Sequence, residues 1–228
     1  MLSFSRHIAR WLCLLLPMLF PPLVLADPLA SPQPFSARYH LMISGWPNAS
    51  IEHDLTRQGE HWQSHMKAAI AVARGSETSR FRVNADETRA LTYHSGYSLL
   101  GIGGNYRLGH EMLGELPDRQ TALFALSRQA IGGECSGSRA APCEMRYVDH
   151  RGREETLHYR ILTRGEVSLP AGDFEAVSIE SWNPDKPDRQ LYFSFHPELP
   201  GLLLSVDYYR DGERRSRLML TELAHTSS

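Results

Sequence analysis

The chain has 228 residues, with 24 Lys and Arg against 26 Asp and Glu, a formal charge of −2. So even and mixed a balance argues against nucleic acid or an anionic membrane surface as a partner. The length suits one sizeable core, and the absence of a composition break or internal repeat points to a single domain.

The first element is a leader. Arg6 and Arg10 precede an apolar run from Trp11, broken by Pro17, Pro21 and Pro22 and closing on Val24-Leu25-Ala26. That order is the layout of a secretory signal peptide, and the prolines leave the run short of the roughly 20 apolar residues of a membrane span. The expectation is a signal peptide over 1–26, cleavage after Ala26, and a single β-rich envelope domain over 27–228. The mature chain then lies in the periplasm with no transmembrane segment. No cysteine follows Ala26 to take a lipid anchor. Loss of Arg6 and Arg10 from the 24 basic residues, against 26 acids, makes the mature charge about −4.

Next come residues in period-two alternation: Phe35, Ala37, Tyr39, Leu41 and Ile43, then Trp62, Ser64, Met66, Ala68, Ile70 and Val72. Each set reads as a strand with one face buried. Between them, Trp46-Pro47-Asn48 reads as a hairpin turn. His61 and His65 fall on the face opposite Trp62 and Met66. Four residues of strand span about 13 Å, so the two histidines cannot share a metal ion and read as solvent-facing. "LLGIGGNYRLG" lacks both the P-loop ending and the Gly-x-Gly-x-x-Gly series, so it reads as a loop or sharp bend at a sheet corner. Leu99, Ile102 and Tyr106 would line a mouth there.

"LPDRQTALFALSRQAIGG" breaks the rhythm. Leu116, Leu123, Leu126 and Ala130 have helical spacing, Pro117 stands near the start and Gly132-Gly133 past the end, which predicts an amphipathic helix of about three turns. Cys135 and Cys143 follow. With Cys13 leaving in the leader they are the only thiols of an exported chain, and their spacing fits neither C-x-x-C nor a four-ligand zinc site, so a structural disulfide is expected. "ETLHYRIL", "EAVSIES", "QLYFSF" and "GLLLSVDYY" continue as strands, with hairpin turns at "DHRGRE", "LPAGDF", "NPDKPDR" and "YRDGER". The fold class is therefore mainly β: an antiparallel curved sheet or open barrel with one amphipathic helix packed against or inside it.

"FSARYHLMISGWPNASIEHDLTRQGEHWQSHMKA", "LPDRQTALFALSRQ", "RGEVSLPAGDFEAVSIESW" and "YFSFHPELPGLLLSVDYYRDGERRSRLMLTEL" together resemble the domain-of-unknown-function 3108 family of bacterial envelope proteins. The resemblance covers most of the mature chain. It implies an open, curved barrel of the kind used by periplasmic lipoprotein and lipid carriers, and it brings no catalytic residues with it.

No nucleophile elbow occurs, and Asp149, His150 and Ser181 form a triad only on paper. The leading expectation is a non-catalytic periplasmic protein without cofactor or metal, binding a lipid-like or other hydrophobic ligand or an envelope protein. The candidate ligand-binding residues are Trp62, Met66, Ile70, Leu99, Ile102, Tyr106, Leu126 and Phe193. A hydrolase of envelope polymers using acids such as Asp173 or Glu180 would show converging carboxylates in a polar cleft; a structural or protein-interaction module would show a filled interior and an exposed apolar patch.

Overall fold

In a computed structural model of the chain, the described residues are 31–70, 72–85, 87–133, 135 and 141–225. The predicted leader, 1–26, lies outside them. The strands are β1 (Phe35–Ile43), β2 (Ala49–Gln58), β3 (His61–Ile70), β4 (Ala73–Val83), β5 (Thr88–Leu99) and β6 (Ile102–Leu108). Then follow α1 (His110–Leu113), α2 (Arg119–Gly132), β7 (Cys143–Val148), β8 (Glu154–Leu169), β9 (Gly172–Trp182), β10 (Arg189–Phe195), β11 (Leu203–Arg210) and β12 (Glu213–His225).

All twelve strands form one antiparallel sheet in the order β6-β5-β4-β3-β2-β1-β12-β11-β10-β9-β8-β7. Two six-strand meanders are joined where β12 pairs with β1, Tyr39 opposite Leu220. The sheet curves without closing. Its edges, β6 and β7, are the strands flanking the helical segment, so α2 crosses the curved face from one edge to the other. The seam between the edges is sealed by side chains: Leu108, Leu113 and Val148 are buried together with Tyr93 and Ala90, and Leu116 packs on them. Val148 N also donates to Pro117 O at 2.9 Å.

Because the sheet is a meander, its turns alternate between two ends. At one end the interior is filled by Phe35, Leu55, Trp62, Phe81, Phe195, Leu202, Leu204 and Leu220, packed against Phe124 and Leu126 of α2. This apolar cluster is the core. At the other end lie the β1–β2, β3–β4 and β5–β6 turns.

The helix is held along its length. Asp118 caps its N-terminus, accepting from Gln120 N at 3.0 Å and Thr121 N at 3.1 Å, and Gly133 ends it at φ 84. Ser127 Oγ accepts from Gly201 N at 2.7 Å. Gly201 sits at φ 89, and a Cβ there would lie 2.7 Å from Phe124 Cδ2, so only glycine lets the β10–β11 turn close over the helix. Arg128, buried, donates to Asn84 O and Ala85 O of the β4–β5 turn at 2.9 and 3.2 Å. Arg164 Nη2 donates to the carbonyls of Ala130 and Ile131 at 3.0 and 2.7 Å, covering the C-terminal end. The buried set on α2 thus includes Gln120, Thr121, Ser127 and Arg128 beside the apolar residues. Cys135 and Cys143 form a disulfide with Cα atoms 5.8 Å apart, fastening the exit of the helix to the start of β7.

Two readings from the sequence change. The alternation read through to Val72 ends at Ile70, and Val72 is the turn into β4. "LLGIGGNYRLG" is a regular hairpin: β5 and β6 pair from Tyr93–Leu108 to Leu99–Ile102, and Leu100-Gly101 make the turn at φ 52 and 84. Gly103 and Gly104 lie in β6, where they back onto Tyr97.

Candidate functional site

Pairing across β2 to β6 sets the helix-covered face in rows. His53, Met66, Glu77, Ser95 and Tyr106 form one row, and Ile51, Ala68, Gly75, Tyr97 and Gly104 the next toward the open end. The second row is mostly small. Since α2 is pinned near the filled end, the small side chains leave space beneath and beside its N-terminal half.

That space is two adjoining cavities. The first, of ≈ 370 Å³, lies between α2 and strands β7, β8 and β10 and is lined by Ala122, Leu123, Leu126, Met145, Leu157, Leu191 and Phe193. The second, of ≈ 300 Å³, opens past Ile51, Ala68, Gly75, Tyr97, Tyr106 and His150. Met66, Glu77 and Arg119 line both, so the apolar chamber and the mouth share a wall. Both volumes fall in the range of about 300–1,000 Å³ usual for small-molecule sites. At the threshold Arg119 Nε donates to Glu77 Oε2 at 2.8 Å, with Gln120 Nε2 3.4 Å from the same oxygen. Tyr97 and Tyr106 stack across the mouth with centroids 6.5 Å apart, and His150 meets Tyr106 edge-on at 5.0 Å.

Of the residues singled out from sequence, Met66, Leu126 and Phe193 meet in the chamber, and Met66 and Tyr106 in the mouth. Ile70, Leu99 and Ile102 share that face at the hairpin ends, outside the cavities. Trp62 stands apart, packed in the core at the filled end. Neither cavity was legible as a unit. Leu123, Met145, Leu157 and Leu191 come from four separate elements, and periodicity within one element does not show which others it meets.

A buried polar network missed by sequence reasoning supports this wall. Asp118 also accepts from Ser79 Oγ at 2.6 Å and Thr121 Oγ1 at 2.7 Å. Ser64 Oγ donates to Gln120 Oε1 at 2.7 Å and lies 2.9 Å from His53 Nε2. The Ser64 proton is committed to Gln120, so the imidazole must donate from Nε2. Its Nδ1 is then a bare acceptor, and among the described residues it has no partner. A histidine in that tautomer cannot take a proton from the serine.

Burial pushes the His53 imidazole down to about 4, against an opposing pull from Asp54. With the folded pKa below the unfolded value near 6.5, the unfolded chain takes up the proton first. Stability is therefore full above about pH 6.5 and falls by on the order of 3 kcal/mol by about pH 4. Urea titrations across this window should show the loss in the parent chain and a flatter profile in His53→Gln. Burial moves Asp118 the other way, raising its carboxyl, so only the difference between the two chains reports His53.

The acids considered for hydrolysis do not converge. Asp173 is exposed at the β8–β9 turn, whereas Glu180 accepts from Tyr192 OH at 3.2 Å beside Arg160. Asp149 is engaged by Arg153 at 2.6 and 2.8 Å, and Ser181 donates to Leu191 O at 3.4 Å. Among the described residues no His, Cys, Asp and Glu group could hold a metal, and no helix is long and apolar enough to cross a membrane.

No family model and no curated protein matches this chain. Several solved structures do. In the Pseudomonas aeruginosa MucA/MucB complex, the match is 11% identical over 86% of this chain and 52% of the other, with a TM-score of 0.41. A crystal structure of MucB is 13% identical over 89% of this chain and 56% of that one, TM-score 0.41. A Bacteroides fragilis protein with a YmcC-like fold is 12% identical over 86% of this chain and 99% of that one, TM-score 0.41. This chain spans about half the length of the MucB chains, and such remote likenesses assign it no ligand or partner.

Proposed function

We propose that this is a periplasmic, non-catalytic carrier that holds the apolar part of a lipid-like molecule in the chamber beside α2, with the polar end at the Glu77–Arg119 threshold. The observation that carries the reading is an apolar cavity beside α2 that adjoins the mouth across Met66, Glu77 and Arg119. An acyl chain replaces water against Leu123, Leu157, Leu191 and Phe193, and the free energy comes from their apolar surface. A carboxylate or phosphate end meets the Arg119 guanidinium, which already pairs with Glu77 and can share its donors. Export follows from the signal-like residues 1–26, and the disulfide suits the oxidising compartment. The resemblance of the strand and helix segments to the domain-of-unknown-function 3108 family agrees with an envelope role.

The test is titration of the mature chain with a long-chain fatty acid bearing an environment-sensitive fluorophore. Saturable binding at one site, displaced by unlabelled fatty acid, is the expected result. Absence of saturable binding sinks the carrier reading.

A further inference from the structure

From the hairpin ends of the first meander we infer that the mouth of the barrel docks on an anionic lipid surface. The β1–β2, β3–β4 and β5–β6 turns are successive at one end of the sheet, and all three present apolar side chains to solvent. Trp46 is 61% exposed, Val72 49%, Leu100 75% and Ile102 81%, with Tyr97 and Leu99 beside them. Most of the large exposed hydrophobics among the described residues are gathered here. The tips are fixed in place: Leu100 N donates to Val72 O and Ser44 N to Arg215 O, each at 2.9 Å. A set of held, outward apolar and aromatic side chains is what an interfacial anchor requires.

Charge identifies the surface. Segments 40–51, 66–76 and 94–109, which form these hairpin ends, contain no Asp or Glu in a chain that has 26. They do contain Lys67, Arg74 and Arg107, all exposed and in no ion pair among the described residues, with Glu52 as the one acid in register opposite Lys67. The turns of the second meander at that end are different: they carry Asp149, Arg151 and Arg153, then Asp185, Lys186 and Asp188, then Asp211 and Glu213. The near-neutral total that argued against an anionic membrane thus hides a one-sided rim, apolar with cations and with no acid in its turns. Lipid headgroups attract such a rim while the tips enter the interface; a protein surface would more often answer it with acids and require no row of apolar tips.

The placement also has a direction. Leu99 and Ile102 lie on the helix-covered face, on the same strands as Tyr97 and Tyr106 of the mouth. A chain docked by these tips faces its opening to the bilayer, and an acyl chain reaches the chamber without crossing open water. That last consequence rests on the carrier reading; the docking itself does not.

Co-sedimentation of the mature chain with vesicles of phosphatidylethanolamine and phosphatidylglycerol tests it, with phosphatidylcholine vesicles as the neutral comparison. The parent chain should sediment with the anionic vesicles, and Leu100→Asp with Ile102→Glu should bind at least about tenfold less. Asp tolerates the positive φ at Leu100, so the thermal midpoint should not move. Lys67→Glu with Arg74→Glu should weaken binding to anionic vesicles far more than to neutral ones. Leu162→Glu, an exposed apolar residue of β8 away from the rim, should bind as the parent does. A parent chain that stays in the supernatant, or a rim variant that sediments like the parent, overturns the proposal. Fatty-acid binding by the same samples keeps the two ideas apart: a chain that takes the probe but ignores vesicles loses the docking surface alone.

Discussion

Replacing Asp118 by alanine is expected to lower the stability of the folded chain by about 2–4 kcal/mol, read as a fall in the urea midpoint. The carboxylate is fully buried and accepts four hydrogen bonds, two from the first turn of α2 and two from the hydroxyls of Ser79 and Thr121. Alanine leaves both amides without their cap. The hydroxyls keep only each other, at 2.8 Å. Relief from burying a charge offsets part of the loss, which is why the expected cost is less than the sum of four bonds. Asp118→Asn should cost less than half as much, because the amide oxygen still caps the helix and the hydroxyls can rotate to accept. If Asp118→Ala leaves the midpoint unchanged, the polar network does not hold α2, and the placement of Arg119 and Gln120 beside the cavity needs another cause.

The second large effect separates packing from ligand space. Leu126 lines the chamber but is only 1% exposed and belongs to the core, so Leu126→Ala should cost about 2–5 kcal/mol. Leu123 is one turn earlier, half-buried, and faces the same chamber. Leu123→Trp puts an indole into ≈ 370 Å³ of open space, so it should keep stability within about 1 kcal/mol and abolish fatty-acid binding. Overpacking in a filled core costs about 1–3 kcal/mol. Destabilisation of that size by Leu123→Trp would therefore show that the chamber has no room for a ligand. Denaturation and probe titration on the same two variants decide it.

The architecture was legible where a strand buries one apolar face: β1, β3, β8, β9, β10 and β11 announce themselves by alternation, and the helix by its spacing and end signals. It was not legible in β4, whose inward residues are Ala73, Gly75, Glu77, Ser79 and Phe81. Apart from Phe81 these are small or polar; Gly75 and Glu77 line the mouth and Glu77 and Ser79 meet the N-terminal turn of α2, so the hydrophobic signal fades where the site is built. The same reason hid the Asp118 network: Ser79 and Gln120 look like solvent-facing residues, and Ser64, though on the inward row, gives no sign of its partners. Met66, Leu126 and Phe193 stood out because they are large and face inward, and they line the chamber. Trp62 has the same pattern and fills the core, since alternation gives the face and not the depth along the strand.

The carrier claim is tested most directly by native mass spectrometry of the chain, purified without denaturation. The account predicts a population heavier than the polypeptide by the mass of a lipid, lost in Leu123→Trp and retained in Leu100→Asp with Ile102→Glu. A single species at the polypeptide mass in every preparation, together with no saturable fatty-acid binding, would contradict it.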